Sequence, residues 1–175
     1  AEDQLSIVIW SCLGLQAWLL SAGILARGGF SHGPTFHKND MLYGEGLIRA
    51  YDLESKTAIY PRIIIDPELI STLSPGHKAM FLSQDVDGLW HTDPFAFGIL
   101  PGNSEALLED AYDPHLVFLE TFVTKIDNEI KNAKDVGVAA KWHWLKSKHA
   151  EALAFHQKHG KPRMWRIMEL AKKSK

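Results

Sequence analysis

The side chains with the type to do chemistry fall into a few groups. Arg27 heads a glycine-rich run, Arg27-Gly28-Gly29-Phe30-Ser31-His32-Gly33. A guanidinium in that setting can fork onto a triphosphate, or it can pair with a carboxylate at a strand edge. Tyr51 sits in a short amphipathic stretch, where a tyrosine either lines a site or packs in the core. Asp85-Val86-Asp87-Gly88 offers the first acids of a calcium loop, but the later oxygen ligands and the closing glutamate are missing. Asp87-Gly88 therefore reads as the tip of a hairpin. Among the nine histidines, His143, His149 and His156 are spaced by six and seven residues. That is not the i, i+4 pair that grips one ion from a helix. His32 and His37 flank a turn and can meet across a hairpin, a weak site at best, so all nine read as structural or solvated. No G-x-S-x-G, P-loop, G-x-G-x-x-G or C-x-x-C is present. The one cysteine, Cys12, excludes an internal disulfide and multi-cysteine zinc patterns, and suits a reducing cytoplasm.

The elements that must position these groups centre on residues 27–66. Arg27–His32 predicts a short strand, Gly33-Pro34 a turn, and Asp40–Tyr43 a second short strand closed by Gly44. Gly46–Ser55 has helical spacing. Tyr60-Pro61 opens a strand whose β-branched run, Ile63-Ile64-Ile65, suits burial on both faces. Upstream, Leu5–Ala26 has no charged residue and is long enough to be a membrane span or signal core. Glu2 and Asp3 precede it where a signal peptide needs basic residues. The expected division is a strand over Leu5–Ile9, interruption at Ser11 and Gly14, and a helix over Leu13–Ala22. Gly23 closes that helix and the next strand starts near Leu25.

Downstream, Pro67–Leu73 predicts a short helix capped by Asp66 and ended by Ser74-Pro75-Gly76. Phe81-Leu82 and Leu89–Phe97 predict strands on either side of the Asp85–Gly88 turn. Residues 100–114 read as loop. His115–Asn132 and Val136–Gln157 are the longest helical patterns. Gly160 and Pro162 stop the second, and Met164–Ala171 adds a further apolar turn or two. At 175 residues the length fits one domain. Residues 1–124 carry 6 basic and 16 acidic side chains, and residues 125–175 carry 13 and 5. This acidic body with a basic tail fits intramolecular docking, a partner surface or a solvated helix face.

The segments ARGGFSHG, YGEGLIRAYDLES, YPRIIID, DVDGLWHTDPF and KWHWL occur in an order that resembles the second half of a class III nucleotidyl cyclase catalytic domain. The similarity spans roughly residues 3–147 and is nearest to the bacterial anti-phage cyclases that make cyclic pyrimidine nucleotides. The resemblance implies an α+β fold, with a ferredoxin-like, cyclase-type antiparallel sheet and helices on one face. This core would fill residues 1–98, N-terminally incomplete, with a helical C-terminal extension over 99–175 packed on it. It implies two ions, Mg²⁺ or Mn²⁺, one activating the ribose 3′-hydroxyl and one holding the departing phosphates. Asp3, opening the Leu5–Ile9 strand, would be the second metal aspartate; read without the resemblance, it is a solvated residue near a chain end. The first would lie upstream. Arg27 would bind the triphosphate as a catalytic residue, and Tyr51 would be nucleotide-binding.

The chain departs from adenylyl and guanylyl cyclases on the helix Gly46–Ser55. Those enzymes carry an asparagine and an arginine four residues apart; here Ile48 and Asp52 stand at these positions. Met41 occupies the place of the adenine-reading aspartate, with Asp40 beside it. The expected function is conversion of a nucleoside triphosphate, UTP or CTP by preference, to a 3′,5′-cyclic nucleotide and pyrophosphate. The expected setting is a cytoplasmic homodimer signalling in antiviral defence, without nucleic acid or membrane. The alternative is a non-catalytic cyclase-like module that binds a nucleotide or a partner chain. A nucleic-acid binder using the basic C-terminal half, with Trp142, Trp144 and Trp165, ranks third, since no RNA-binding signature accompanies the charge.

Overall fold

The computed structural model describes residues 2–96 and 113–173. The chain is α+β, with a small mixed sheet and a helical C-terminal half. The first element is a single helix, α1 (Glu2–Ser21), not the strand and helix expected over Leu5–Ile9 and Leu13–Ala22. The β-branched run Ile7-Val8-Ile9 yields to tertiary context, because Ile9, Leu13, Ala17 and Leu20 form a stripe at helical spacing and are all buried. Ser11 does not interrupt the helix: its hydroxyl donates to Ile7 O within the helix at 3.0 Å. Gly23 does end it. At φ 83°, its N–H bonds to Leu20 O and the Ile24 N–H to Leu19 O, the paired bonds of a Schellman close.

Next come β1 (Gly28–Phe30), the hairpin β2 (Thr35–Lys38) and β3 (Met41–Gly44), then α2 (Glu45–Asp52). A π turn over Leu53–Thr57 leads to β4 (Ile63–Ile65). The expected strand, turn, strand, helix and strand form in that order, with three differences. A further strand, β2, occupies Thr35–Lys38 and pairs with β3. The hairpin forms a separate two-stranded sheet, turning at Asn39 (φ 53°). And β1 pairs with β4 in parallel, Gly29 opposite Ile64, so the sheet is not the all-antiparallel one expected. A parallel pair needs a crossover, and the hairpin with α2 is that crossover. Glycine is required where these pieces meet: a Cβ on Gly29 would lie 2.1 Å from Ala50 O of α2, and one on Gly44 2.2 Å from Pro34 O.

The sheet continues with β5 (Leu82–Gln84) and β6 (Trp90–Thr92), giving the order β1-β4-β6-β5. The β5–β6 turn is the expected Asp85–Gly88 hairpin, with Gly88 at φ 80°. Asp66 caps α3 (Pro67–Thr72) through the Glu68 N–H. Ser74-Pro75-Gly76, expected only as a stop, instead starts α4 (Pro75–Phe81), the Ser74 hydroxyl accepting from the His77 N–H. The helices α5 (Pro114–Asn132), α6 (Val136–His159) and α7 (Arg163–Lys173) complete the chain. The expected loop over 100–114 lies, as far as residue 112, outside the described residues.

Two buried clusters result. One joins Ile9 and Leu13 of α1 to Ile65, Leu69, Phe81, Leu82 and Met164. The other joins Leu20 and Phe95 to Leu119, Phe122, Ile126, Trp142 and Leu145 of α5 and α6. The C-terminal helices thus share a core with α1 and with the segment after β6. Residues Gln4–Ser21 have the length and hydropathy of a membrane span, while one side of this helix supplies core residues to both clusters.

Candidate functional site

Of the three residues expected at the site, Asp3 lies apart from Arg27 and Tyr51. Asp3 lies in the first turn of α1, so no strand carries it and no sheet links it to β4. The start of α1 lines an open apolar groove of about 560 Å³ together with Phe30, Ser31 and His32, beyond the carboxyl end of β1. Arg27 is at the other end of that strand. Its Nε is 2.6 Å from Glu54 Oε1, and Nη1 lies 3.5 Å from Ala58 O, so the strand-edge pairing is the one formed. Tyr51, on α2 three residues before Glu54, is 65% exposed and is not a core residue. Among the described residues, no three His, Cys, Asp or Glu side chains converge to hold an ion. With Asp3 on a helix, these residues do not fit a two-ion cyclase centre, and no metal-assisted step is derived from them.

Three of the motif segments do converge, around Arg62. This side chain is 1% exposed. Its Nη1 donates to Asp85 Oδ2 at 2.8 Å and to Asp87 Oδ1 at 3.2 Å, and its Nη2 pairs with Asp87 Oδ2. From α6, Trp144 Nε1 donates to Asp85 Oδ2 at 2.7 Å, and Lys148 Nζ lies 3.3 Å from Asp85 Oδ1. The Trp144 indole stacks on Tyr60 with ring centres 5.5 Å apart and planes 6° from parallel. His91 meets it edge-on at 5.6 Å. YPRIIID, DVDGLWHTDPF and KWHWL therefore build one clamp joining β4, the β5–β6 turn and α6.

Electrostatics fixes the charge states of the clamp. Burial pushes the Asp85 carboxyl up, but the Trp144 N–H, the Val86 N–H and the Lys148 ammonium outweigh it and hold the acid below its ordinary range. For Asp87 the Arg62 hydrogen bonds dominate, and that carboxyl is also held low. Burial keeps His91 neutral by lowering its pKa, against the opposing bond to Thr92 O. Both acids are held toward the ionised form by these partners, Asp85 buried and Asp87 part-exposed, so they serve as structural charges. Sequence reasoning missed this centre because its members lie far apart in the chain; the only signal was that the segments carrying them stood out as motifs.

The remaining feature is a surface. α2 packs on both strands of the hairpin. Phe36, Met41, Leu42, Tyr43, Leu47, Ile48 and Tyr51 on these elements are each 40 to 65% exposed. Phe36 and Tyr43 pair across the strands at 4.8 Å. A lone two-stranded hairpin is marginally stable in water, so a face of this composition gains from being covered.

The histidines bear out a structural role in part. His37 lies opposite Leu42 in the hairpin and does not meet His32 there. His149 bonds Leu119 O from α6 to α5 at 2.5 Å, and burial lowers its pKa. His115 is pushed down to about 4, by burial first and by the neighbouring His156 second.

Comparison with protein-family models, with curated proteins and with solved structures returned no match. The residues and their geometry carry the functional reading.

Proposed function

We propose that this chain is a cyclase-like module whose own residues bind rather than cyclise. It presents the hairpin and α2 to a second copy, and takes a nucleoside triphosphate, UTP or CTP by preference, beside Arg27 and Tyr51. The observation carrying the binding role is the unpartnered apolar face of the hairpin and α2. Phe36, Met41 and Tyr43 share one side of the hairpin, with Leu42 on the other, and Leu47, Ile48 and Tyr51 are exposed on α2. The helical setting of Asp3 and the ion pair tying Arg27 to Glu54 weigh against independent cyclisation.

A second reading is the full nucleotidyl cyclase, a phosphorus–oxygen lyase working as a cytoplasmic homodimer in antiviral signalling. The strand, hairpin, helix and strand running from Gly28 to Ile65 favour it. In that case the metal carboxylates come from residues other than Asp3.

Two measurements decide. The chain is incubated with Mn²⁺ and each nucleoside triphosphate, and 3′,5′-cyclic product is sought by mass spectrometry. Binding of labelled UTP or CTP without product is the expected result; cyclic product would replace the first reading with the second, and absence of both binding and product would remove both. Light scattering on the intact chain is expected to give a dimer, and Tyr43→Glu a monomer with unchanged helix content. A monomeric parent chain at micromolar concentration would sink the proposed interface.

A further inference from the structure

His115, in the first turn of α5, and His156, near the end of α6, face each other with Nδ1 atoms 3.1 Å apart. Both residues are 2% exposed. Their outer nitrogens are committed. His115 Nε2 is 3.1 Å from Phe95 O, and His156 Nε2 is 2.8 Å from Asp113 Oδ2. A carbonyl and an ionised carboxylate only accept hydrogen bonds, so both Nε2 atoms carry hydrogen. The bond between the facing Nδ1 atoms needs one hydrogen more. The pair therefore holds one proton above the complement of two neutral imidazoles. That charge rests on His156, the ring beside the Asp113 carboxylate. His115 stays neutral, donating to Phe95 O and accepting from His156.

We propose that this pair is an acid-released latch: one shared proton holds the start of α5 to the end of α6, and a second proton entering the pair parts them. His115 has a single nitrogen left to take that proton, Nδ1, whose lone pair already accepts the His156 N–H. Protonation there removes the bond and sets two imidazoliums face to face. The carboxylates that face His115 among the described residues are already engaged. Asp113, the cap of α5, is held by His156 and by the His115 and Leu116 N–H groups. Asp93, after β6, pairs with Arg163 of α7, and Glu151 of α6 lies 3.2 Å from Lys148 Nζ. None of them is left over to offset the added charge.

Burial first, and the His156 charge second, push His115 down to about 4. An exposed histidine titrates at about 6.5. The folded value is the lower of the two, so the closed latch has its full advantage above about 6.5. It loses that advantage as pH falls through about 4. Opening is confined to the helix ends: Trp144 and Lys148, which reach Asp85, lie about three and two turns back along α6. What opens is one wall of the cavity of about 160 Å³ that His115 lines with Asp93, Phe95, Glu151 and Arg163. The latch does not depend on the nucleotide reading.

The test follows the intact, isotope-labelled chain by nuclear magnetic resonance, reading histidine ring titration and amide protection together. Burial also lowers His91 and His149, so the readout must be local. Protection in the first two turns of α5 and the last two of α6 should fall about tenfold between roughly pH 6 and 4.5. Amides around Trp144 should change much less. His115→Gln, which cannot take the proton, should lose this local pH dependence. His156→Gln removes the facing charge and should move the His115 midpoint up toward the ordinary value. His143→Gln, on the exposed side of α6, should change neither. A His115 ring that titrates at the ordinary value in the parent chain, helix ends whose protection ignores pH, or an unaltered response in His115→Gln would overturn the latch. If either variant at the pair fails to fold by circular dichroism, the ring titration and local protection of the parent chain decide alone.

Discussion

Arg62 is a buried cation shared by two carboxylates. Its guanidinium is enclosed with Asp85 and Asp87, so truncating it strands two carboxylates, one of them buried. Arg62→Met is expected to cost about 3–5 kcal/mol, read as a shift in the urea midpoint. Trp144→Phe keeps the stack on Tyr60 but removes a hydrogen bond to a charged group, at about 1.5–3 kcal/mol. Acid should act on the same atoms. Asp85 and Asp87 are held below the ordinary carboxylate range, so their contribution is present above the unfolded value of about 3.9. It disappears as pH falls through the lower folded values. Stability measured between pH 5 and 2 should therefore drop, and Asp85→Asn should flatten part of that slope while lowering the plateau. A mutant with the parent's full acid slope would remove Asp85 from the account.

At the scale of single elements, local signals were legible and long-range ones were not. Asp66-Pro67 announced α3, Asp87-Gly88 the β5–β6 turn, and Gly160 the end of α6, where it stands at φ 67°. Each of these depends on a few neighbouring atoms. Gly160→Ala has open space for its methyl group, so only the left-handed backbone opposes it. The expected loss is about 1 kcal/mol, visible as a small fall in thermal midpoint. Gly29→Ala is different in kind: its methyl would meet the Ala50 carbonyl at 2.1 Å. α2 must move off β1, and the expected loss is several-fold that of Gly160→Ala. The element misread was α1. Ile7-Val8-Ile9 carries strand propensity, but what decides its state is that Ile9 and Leu13 pack in one cluster with Ile65 and Leu82 of the sheet, which only a packed partner reveals. The resemblance placed Asp3 at the head of that expected strand, and in the structure it opens a helix instead.

For the whole molecule, the two buried clusters make the C-terminal helices part of the core. Leu20 of α1 and Phe95 after β6 pack against α5 and α6. α7 is tied back to β5 and its neighbour by Arg163, which donates to Ser83 Oγ at 2.8 Å and Leu82 O at 2.9 Å, and pairs with Asp93. A chain ended before residue 113 should therefore bind hydrophobic dye and lose cooperative melting; a truncated chain that melts sharply without binding dye would show the first cluster to be self-sufficient. The charge asymmetry noted in the sequence finds a partial counterpart here, since Lys148 and Arg163 of the basic tail dock on Asp85 and Asp93 of the acidic body.

The clamp also constrains the order of events in folding. Asp85 and Trp144 are separated by 59 positions, and Arg62 precedes Asp85 by a further 23. Closing such long loops must be compensated by contacts that exist only after the sheet and the α5–α6 pair have formed. The Trp144 indole should thus reach its stacked position in the slowest refolding phase. A stopped-flow trace of the parent chain against Trp144→Phe would then isolate the moment at which the two halves of the polypeptide become one cooperative unit.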